Sequence, residues 1–275
     1  MKKIIFSCLF LIGSLKAFTQ DTPTAEAVID KYLTAIGGKE AIAKIEDLTM
    51  NMNMEIDRQG QTMMIETEVK QKKPNKFSSV SYAFGQESGR TICDGSKVYS
   101  MRNMRGEQQA NTVEGADATL QILQNATFPE LLYDMYKITS TVVGKEDVEG
   151  KAAWKVEFAT PEGKKWQEFF DIDSGLKLKR ASEGPGAGGR MGGGTRPEGA
   201  AGQRTEGAGG QRGGGMGMMG GGAMNVNLSD YKEIKGTGVK IPYTRTMGGG
   251  QFQMKMTVSS VKANKGIKDK EFEIK

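Results

Sequence analysis

The sequence predicts a mainly β protein with helices: a single curved antiparallel sheet, closed by an N-terminal helix and short mid-chain helices. Three observations carry this reading. Apolar and polar residues alternate in segment after segment between Leu48 and Val258, the pattern of strands with one buried face. Short turns such as Asp94-Gly95 join those segments, which makes neighbours antiparallel. Ahead of them, Asp21 to Ile45 is the one strongly helical stretch, and its apolar stripe needs a surface to cover. The segments number about ten or eleven, which suits strong curvature better than a flat sheet.

Taken in order, the chain opens on Met1-Lys2-Lys3, an uncharged run from Ile4 to Leu15, and Lys16 to Gln20. This reads as a secretory signal peptide over residues 1–20, cleaved between about residues 17 and 20. The run is too short to span a bilayer, which takes about 20 apolar residues. Cys8 lies near its start, whereas a lipid-anchored cysteine belongs at its end. In the helical stretch, Ala25, Val28, Ile29, Tyr32, Leu33 and Ile36 recur at helical spacing. Thr22 is the expected N-cap with Pro23 in the first helical position, and Gly37-Gly38 ends the helix. Ala41, Ile42 and Ile45 suggest a short second helix.

Leu48, Met50, Met52, Met54 and Ile56 alternate with polar residues in the first strand, and Gln61 to Lys72 returns after Gly60. Asn75 to Phe84 forms a third strand, and Arg90 to Cys93 and Lys97 to Met101 flank Asp94-Gly95. Gly115 to Ile138 then switches to helical spacing, read as two short helices split before Pro129. Strands resume with Ala152 to Ala159, Lys165 to Ile172 and Leu176 to Ala181, and later with Asn225 to Ile234, Val239 to Tyr243 and Phe252 to Val258.

Residues 184–224 are different material. Gly184 to Ala223 is dominated by glycine, without an aromatic residue or a periodic apolar face, so it cannot bury enough surface to offset chain entropy. RPEGAAGQ (196–203) is nearly repeated as RTEGAGGQ (204–211), which fits expansion of a hairpin loop. The expected organisation is therefore a signal peptide (1–20), one domain built from 21–183 and 225–275, and a Gly/Met/Arg-rich loop insertion (184–224).

Composition excludes several functions. The 275 residues include no histidine, which removes the usual general base, the Ser-His-Asp triad, the Cys-His pair and the commonest zinc ligand. The acids are scattered singly along strands, so the chain reads as a non-enzyme without a cofactor or a resident metal. Loss of residues 1–20 takes three lysines and no acid from 38 basic and 33 acidic residues, leaving a formal charge of +2. That gives no case for nucleic acid as a partner. Cys93 is then the sole cysteine, so no intramolecular disulfide forms; a small buried apolar role suits it. Asp171 to Gly175 has glycine fifth and Ser182 twelfth, where a calcium loop wants glycine sixth and glutamate twelfth; a hairpin turn explains it. Met216, Met218, Met219 and Met224 on the glycine loop are soft ligands of the kind Cu(I) favours.

The order of features resembles the LolA/LolB-like envelope proteins, particularly secreted outer membrane lipoprotein-sorting protein-like members from Bacteroidetes. The residues that carry the resemblance are YLTAIGGKEAI (32–42), KKPNKF (72–77), DGSKVY (94–99), VEGKAAWKVEF (148–158), FFDIDSGLKLKR (169–180) and DYKEIKGTGVKIPY (230–243). They span most of the mature chain and are turn and strand signatures, specific for fold rather than activity. The resemblance implies a half-barrel of about eleven strands whose concave side, closed by helices, holds acyl chains. The glycine tract has no counterpart in that pattern.

These readings converge on a periplasmic carrier, peripheral to the outer membrane, for a lipid or the acyl chains of a lipoprotein. Val28, Tyr32 and Ile36 on the helix and Met50, Met52, Met54, Met254 and Met256 on the strands are the expected cavity residues, since methionine adapts to irregular apolar partners. The competing readings are a structural or interaction protein of the envelope with a dry core, and copper handling through the glycine loop.

Overall fold

The structure, a computed structural model, describes residues 22–58, 61–104, 106–182, 224–249 and 252–274. The expected signal peptide lies outside the described residues, as does the glycine-rich insertion up to Met224. Thirteen strands form one antiparallel sheet. They are β1 (Asp47–Arg58), β2 (Gln61–Lys72), β3 (Lys76–Ala83), β4 (Gln86–Cys93), β5 (Val98–Met104), β6 (Glu107–Val113) and β7 (Thr139–Val148). β8 (Lys151–Ala159), β9 (Lys165–Asp171), β10 (Lys177–Ser182), β11 (Met224–Glu233), β12 (Lys240–Gly249) and β13 (Phe252–Ala263) complete it.

Consecutive strands pair everywhere but at β6 and β7, and the first strand also joins the last. β1 pairs with β13, from Leu48 opposite Ala263 to Arg58 opposite Phe252. β6 and β7, consecutive in the chain, stand at opposite edges. The sheet is thus one long meander, joined end to end through β1 and β13 and open between β6 and β7. The link across the opening contains helix α3 (Gly115–Asn125) and a 3-10 turn at Pro129–Leu132. α3 touches β3 and β5 near one edge, and its Ala118, Ile122 and Leu123 join the core shared with the N-terminal helix.

The expected count of about eleven strands falls short by the two edges. β6 reads EQQANTV and is exposed along almost its whole length. β7 alternates exposed with half-buried positions and buries only Val148. An edge strand needs no continuous apolar face, so hydrophobic periodicity passes over both.

Helix α1 (Ala25–Ala35) begins two residues later than its sequence suggests. Thr24, not Thr22, is the N-cap, accepting from Ala27 N at 3.2 Å; Pro23 precedes the cap. The helix ends where Gly37 and Gly38 take φ of 125° and 89°, a backbone region that glycine enters without strain. Gly37 is required for a second reason: a Cβ there would lie 2.4 Å from the Gly238 carbonyl oxygen. Lys240 N donates to Ile36 O at 2.8 Å, so the helix end is docked on the β11–β12 turn. α2 (Lys39–Ala43) follows at once and buries Ile42.

One main core lies between the sheet and these helices. Ile36, Ile42, Met50, Leu123, Val156, Phe158 and Phe170 are almost fully enclosed there. Among the described residues, the opposite face carries a small cluster of Val148, Ala153 and Phe169. Cys93 is enclosed. Asp171 Oδ1 accepts from Asp173 N at 2.8 Å and Ser174 N at 3.2 Å, the hairpin turn expected there. No described helix is long and apolar enough to cross a membrane.

Candidate functional site

β1 and β3 begin, and β2 ends, beside α2 and beneath the mid-chain segment, and a cavity of about 200 Å³ opens there. Its apolar wall includes Ile42, Ile45, Leu48, Phe77, Ile122 and Leu132. Leu131 and Met135, also lining it, are 38% and 54% exposed, so the mouth presents apolar side chains to solvent. Lys72, Lys73 and Lys76 are part of the lining. Lys72 and Lys76 share Asp269 at 3.2 and 3.0 Å, and Lys73 meets Glu46 at 3.3 Å. Ligand sites commonly enclose about 300–1,000 Å³. At its present size the cavity accommodates the end of an alkyl chain rather than a whole lipid.

The side chains of four residues tether the mid-chain segment to the sheet and its turns. Gln71 on β2 donates to Asn125 O at 2.6 Å and accepts from Thr127 N at 3.1 Å and Thr127 Oγ1 at 2.8 Å. It thereby serves the backbone where α3 ends, satisfying groups that a helix terminus leaves open. Asn75 donates to Tyr136 OH at 2.6 Å. Arg180 on β10 donates to Leu123 O at 3.2 Å. Lys177 Nζ forms an ion pair with Glu130 in the 3-10 turn.

The last two contacts belong to a cluster of charges inside the core. Lys177 Nζ also pairs with Glu168 at 2.7 Å, and the side chains of both glutamates are fully enclosed. Glu168 takes Trp166 Nε1–H at 3.3 Å and has Arg180 Nε at 3.7 Å. The Lys177 ammonium stands 4.9 Å from the Tyr32 ring centroid and 5.6 Å from that of Phe170, and the Arg180 guanidinium stands 5.3 Å from Trp166. Tyr231 OH donates to Lys177 O at 2.8 Å.

Burial holds the Glu130 carboxyl above its ordinary 4.5, with Lys177 working against the shift and Glu168 with it. Burial pushes Lys177 down, but the two carboxylates outweigh it and the ammonium is held above 10.5. Arg245 on β12 adjoins the same cluster through Tyr32, Tyr231 and Arg180. Burial pulls it below the ordinary guanidinium range, Tyr231 and Tyr32 oppose that shift and Arg180 adds to it.

The eight expected cavity residues all lie on the core side. Val28, Tyr32 and Ile36 point from α1 into the core, and Tyr32 meets Phe170 edge-on at 5.5 Å. Met50, Met52 and Met254 are buried. Met54 and Met256 stand opposite one another across β1 and β13, both half-buried. None of the eight lines the 200 Å³ cavity, although Thr127 Oγ1 approaches Met50 Sδ at 4.0 Å. The charge cluster and Gln71 are additional to that set. Two of its members carry a sequence signal, because Glu168 alternates in step with Trp166 and Phe170, and Arg245 with Tyr243 and Met247. Lys177 carries none, since the β9–β10 register shifts between Lys177 and Lys179.

No family model matches the chain, and no curated protein does. Solved structures resemble it. A LolA superfamily protein from Nitrosomonas europaea is similar at a TM-score of 0.54 and 10% identity, covering 92% of this chain and 99% of the other. A DUF1329 family protein from Desulfovibrio piger matches at 0.49 and 13% identity, with 92% and 98% covered. A domain from Vibrio parahaemolyticus assigned to outer membrane lipoprotein sorting matches at 0.49 and 10%, with 88% and 96% covered. The chain has a LolA-like fold.

Proposed function

We propose that this protein is a non-enzymatic carrier of the cell envelope that binds a lipid, or the acyl chains of a lipoprotein, between its curved sheet and the helices on the core face. Binding is by removal of apolar surface from water, worth about 25 cal/mol per Å². The observation that carries the reading is the apolar cavity at the seam between sheet and mid-chain segment, with Leu131 and Met135 exposed at its mouth. The LolA-like fold supports it. Val28, Tyr32, Ile36, Met50, Met52, Met54, Met254 and Met256 are the proposed deeper contacts, reached as the mid-chain segment moves off the sheet. Residues 1–20 are a leader for export to the periplasm, and 21–183 with 225–275 are the carrier.

A dry-core envelope protein is the second reading. It is favoured by one fact: six of the eight proposed contacts are at most 9% exposed. Copper handling rests on residues outside the described set, apart from Met224 in the first position of β11.

Native mass spectrometry of protein recovered from the periplasm, followed by organic extraction, separates the first two. The carrier reading predicts mass adducts that disappear on extraction and are recovered as lipid. A single apo mass, with no uptake of a fluorescent fatty acid by the same preparation, would contradict it.

A further inference from the structure

On the core face, Arg245 of β12 sits directly opposite Met256 of β13 in one direction and Leu228 of β11 in the other. Its Nε is enclosed and has no hydrogen-bond partner among the described residues. Arg180 reaches the same face from β10, opposite Val226 of β11. The two arginines thus flank one strand, offset by two residues. Strands lie about 4.8 Å apart and rise about 3.4 Å per residue, so long guanidinium side chains can meet over β11. Arg180 Nε and Nη2 are likewise enclosed without a hydrogen-bond partner among the described residues.

The charges of this interior do not balance. Glu130 and Glu168 are both held by Lys177, Arg180 has only the outer approach of Glu168 at 3.7 Å, and no described acid pairs with Arg245. Three cations therefore face two carboxylates. Arg245 and Arg180 are half-buried as whole residues, but their Nε atoms are enclosed, and charge withdrawn from water is costly unless it is paired. A lysine could relieve that cost by losing its proton; an arginine does not. The relief available is a bound anion, and the forked donors of arginine suit carboxylate or phosphate oxygens.

We propose that Arg245 and Arg180 receive the anionic headgroup, a carboxylate or a phosphate monoester, of an amphiphile whose alkyl chain lies along the Met54 and Met256 strip. The inference rests on the lipid-carrier reading and narrows its ligand class to anionic amphiphiles.

Its test compares dodecanoate, dodecyl phosphate and dodecanol as ligands of the full chain by titration calorimetry. The wild type should bind at least one of the two anions about tenfold or more tightly than dodecanol, the discrimination expected of charge-assisted hydrogen bonds in an enclosed site. Whichever anion binds tighter identifies the headgroup. Arg245→Met should reduce that preference to about twofold or less with dodecanol affinity unchanged, and the apo variant should melt no lower than the wild type, because it loses a half-buried cation that no described acid pairs. Equal binding of anions and dodecanol by the wild type overturns the headgroup proposal and leaves the carrier reading standing. Retention of the full preference by Arg245→Met also overturns it. Binding of none of the three defeats both. The wild-type comparison decides the matter even if the variant does not fold.

Discussion

Lys177 is the residue on which the interior charges depend. It is 4% exposed and is the cation nearest to both Glu130 and Glu168. Lys177→Met keeps much of the side-chain volume but strands two buried carboxylates. Removing one partner of a buried pair costs about 3–5 kcal/mol, and that loss should appear in urea unfolding. Combining it with Glu130→Gln and Glu168→Gln should recover a good part of the loss; no recovery would show that the residues do not act as one cluster. Lys177 and other buried groups set a pH dependence. Burial, above all, holds Tyr32, Tyr133 and Tyr231 well above 10.0, and the Cys93 thiol, pushed up mainly by burial, titrates at about 11 instead of 9.0. Lys177 is held above 10.5. Each group keeps its proton in the folded state at a pH where the unfolded chain has released it. Stability therefore falls as pH rises, beginning near 9.0 with Cys93 and steepening past 10.0 with the tyrosines. A urea midpoint that stays level or rises between pH 9 and 11 would contradict this.

At the scale of the element, the mid-chain segment is the part of the core covering held most by side-chain hydrogen bonds. Gln71 makes three of them, to Asn125 O, Thr127 N and Thr127 Oγ1. Gln71→Ala leaves those groups to water or unpaired, at about 1–3 kcal/mol if they stay buried. Amide exchange should accelerate in Gly115–Leu132 and remain slow in β1 and β13. Uniform acceleration across the sheet would mean that the segment does not move as a unit. Elements of this kind were largely legible. Alternation of Met50, Met52 and Met54 located β1, and Gly37-Gly38 located the end of α1. The omissions have physical causes: β6 and β7 are edges and bury little, and the cap fell to Thr24 because its hydroxyl reaches Ala27 N. The site was less legible. Glu168 and Arg245 keep step with apolar neighbours and were readable as inward-facing charges, whereas the irregular register that turns Lys177 inward leaves no mark in the residue pattern. Gln71 and Glu130 matter through contacts 54 and 47 residues away in sequence, which no local periodicity encodes.

For the whole molecule, the decisive property is that a thirteen-strand meander stays open between β6 and β7 and the chain crossing that opening roofs the core. Sheet and roof meet along a seam with apolar residues at its mouth, a cavity just inside it and buried or half-buried cations further along the same face. The described residues between 22 and 182 and between 224 and 274 supply all of these parts. A diazirine-bearing fatty acid, photolysed with the full-length protein and mapped by peptide mass spectrometry, tests this account most directly. Labels should concentrate on residues 48–56, 118–135 and 252–258, and excess dodecanoate should suppress them. Labels confined to outward-facing apolar residues such as Met64 and Phe84, 48% and 90% exposed, or the absence of competable labelling, would contradict the account.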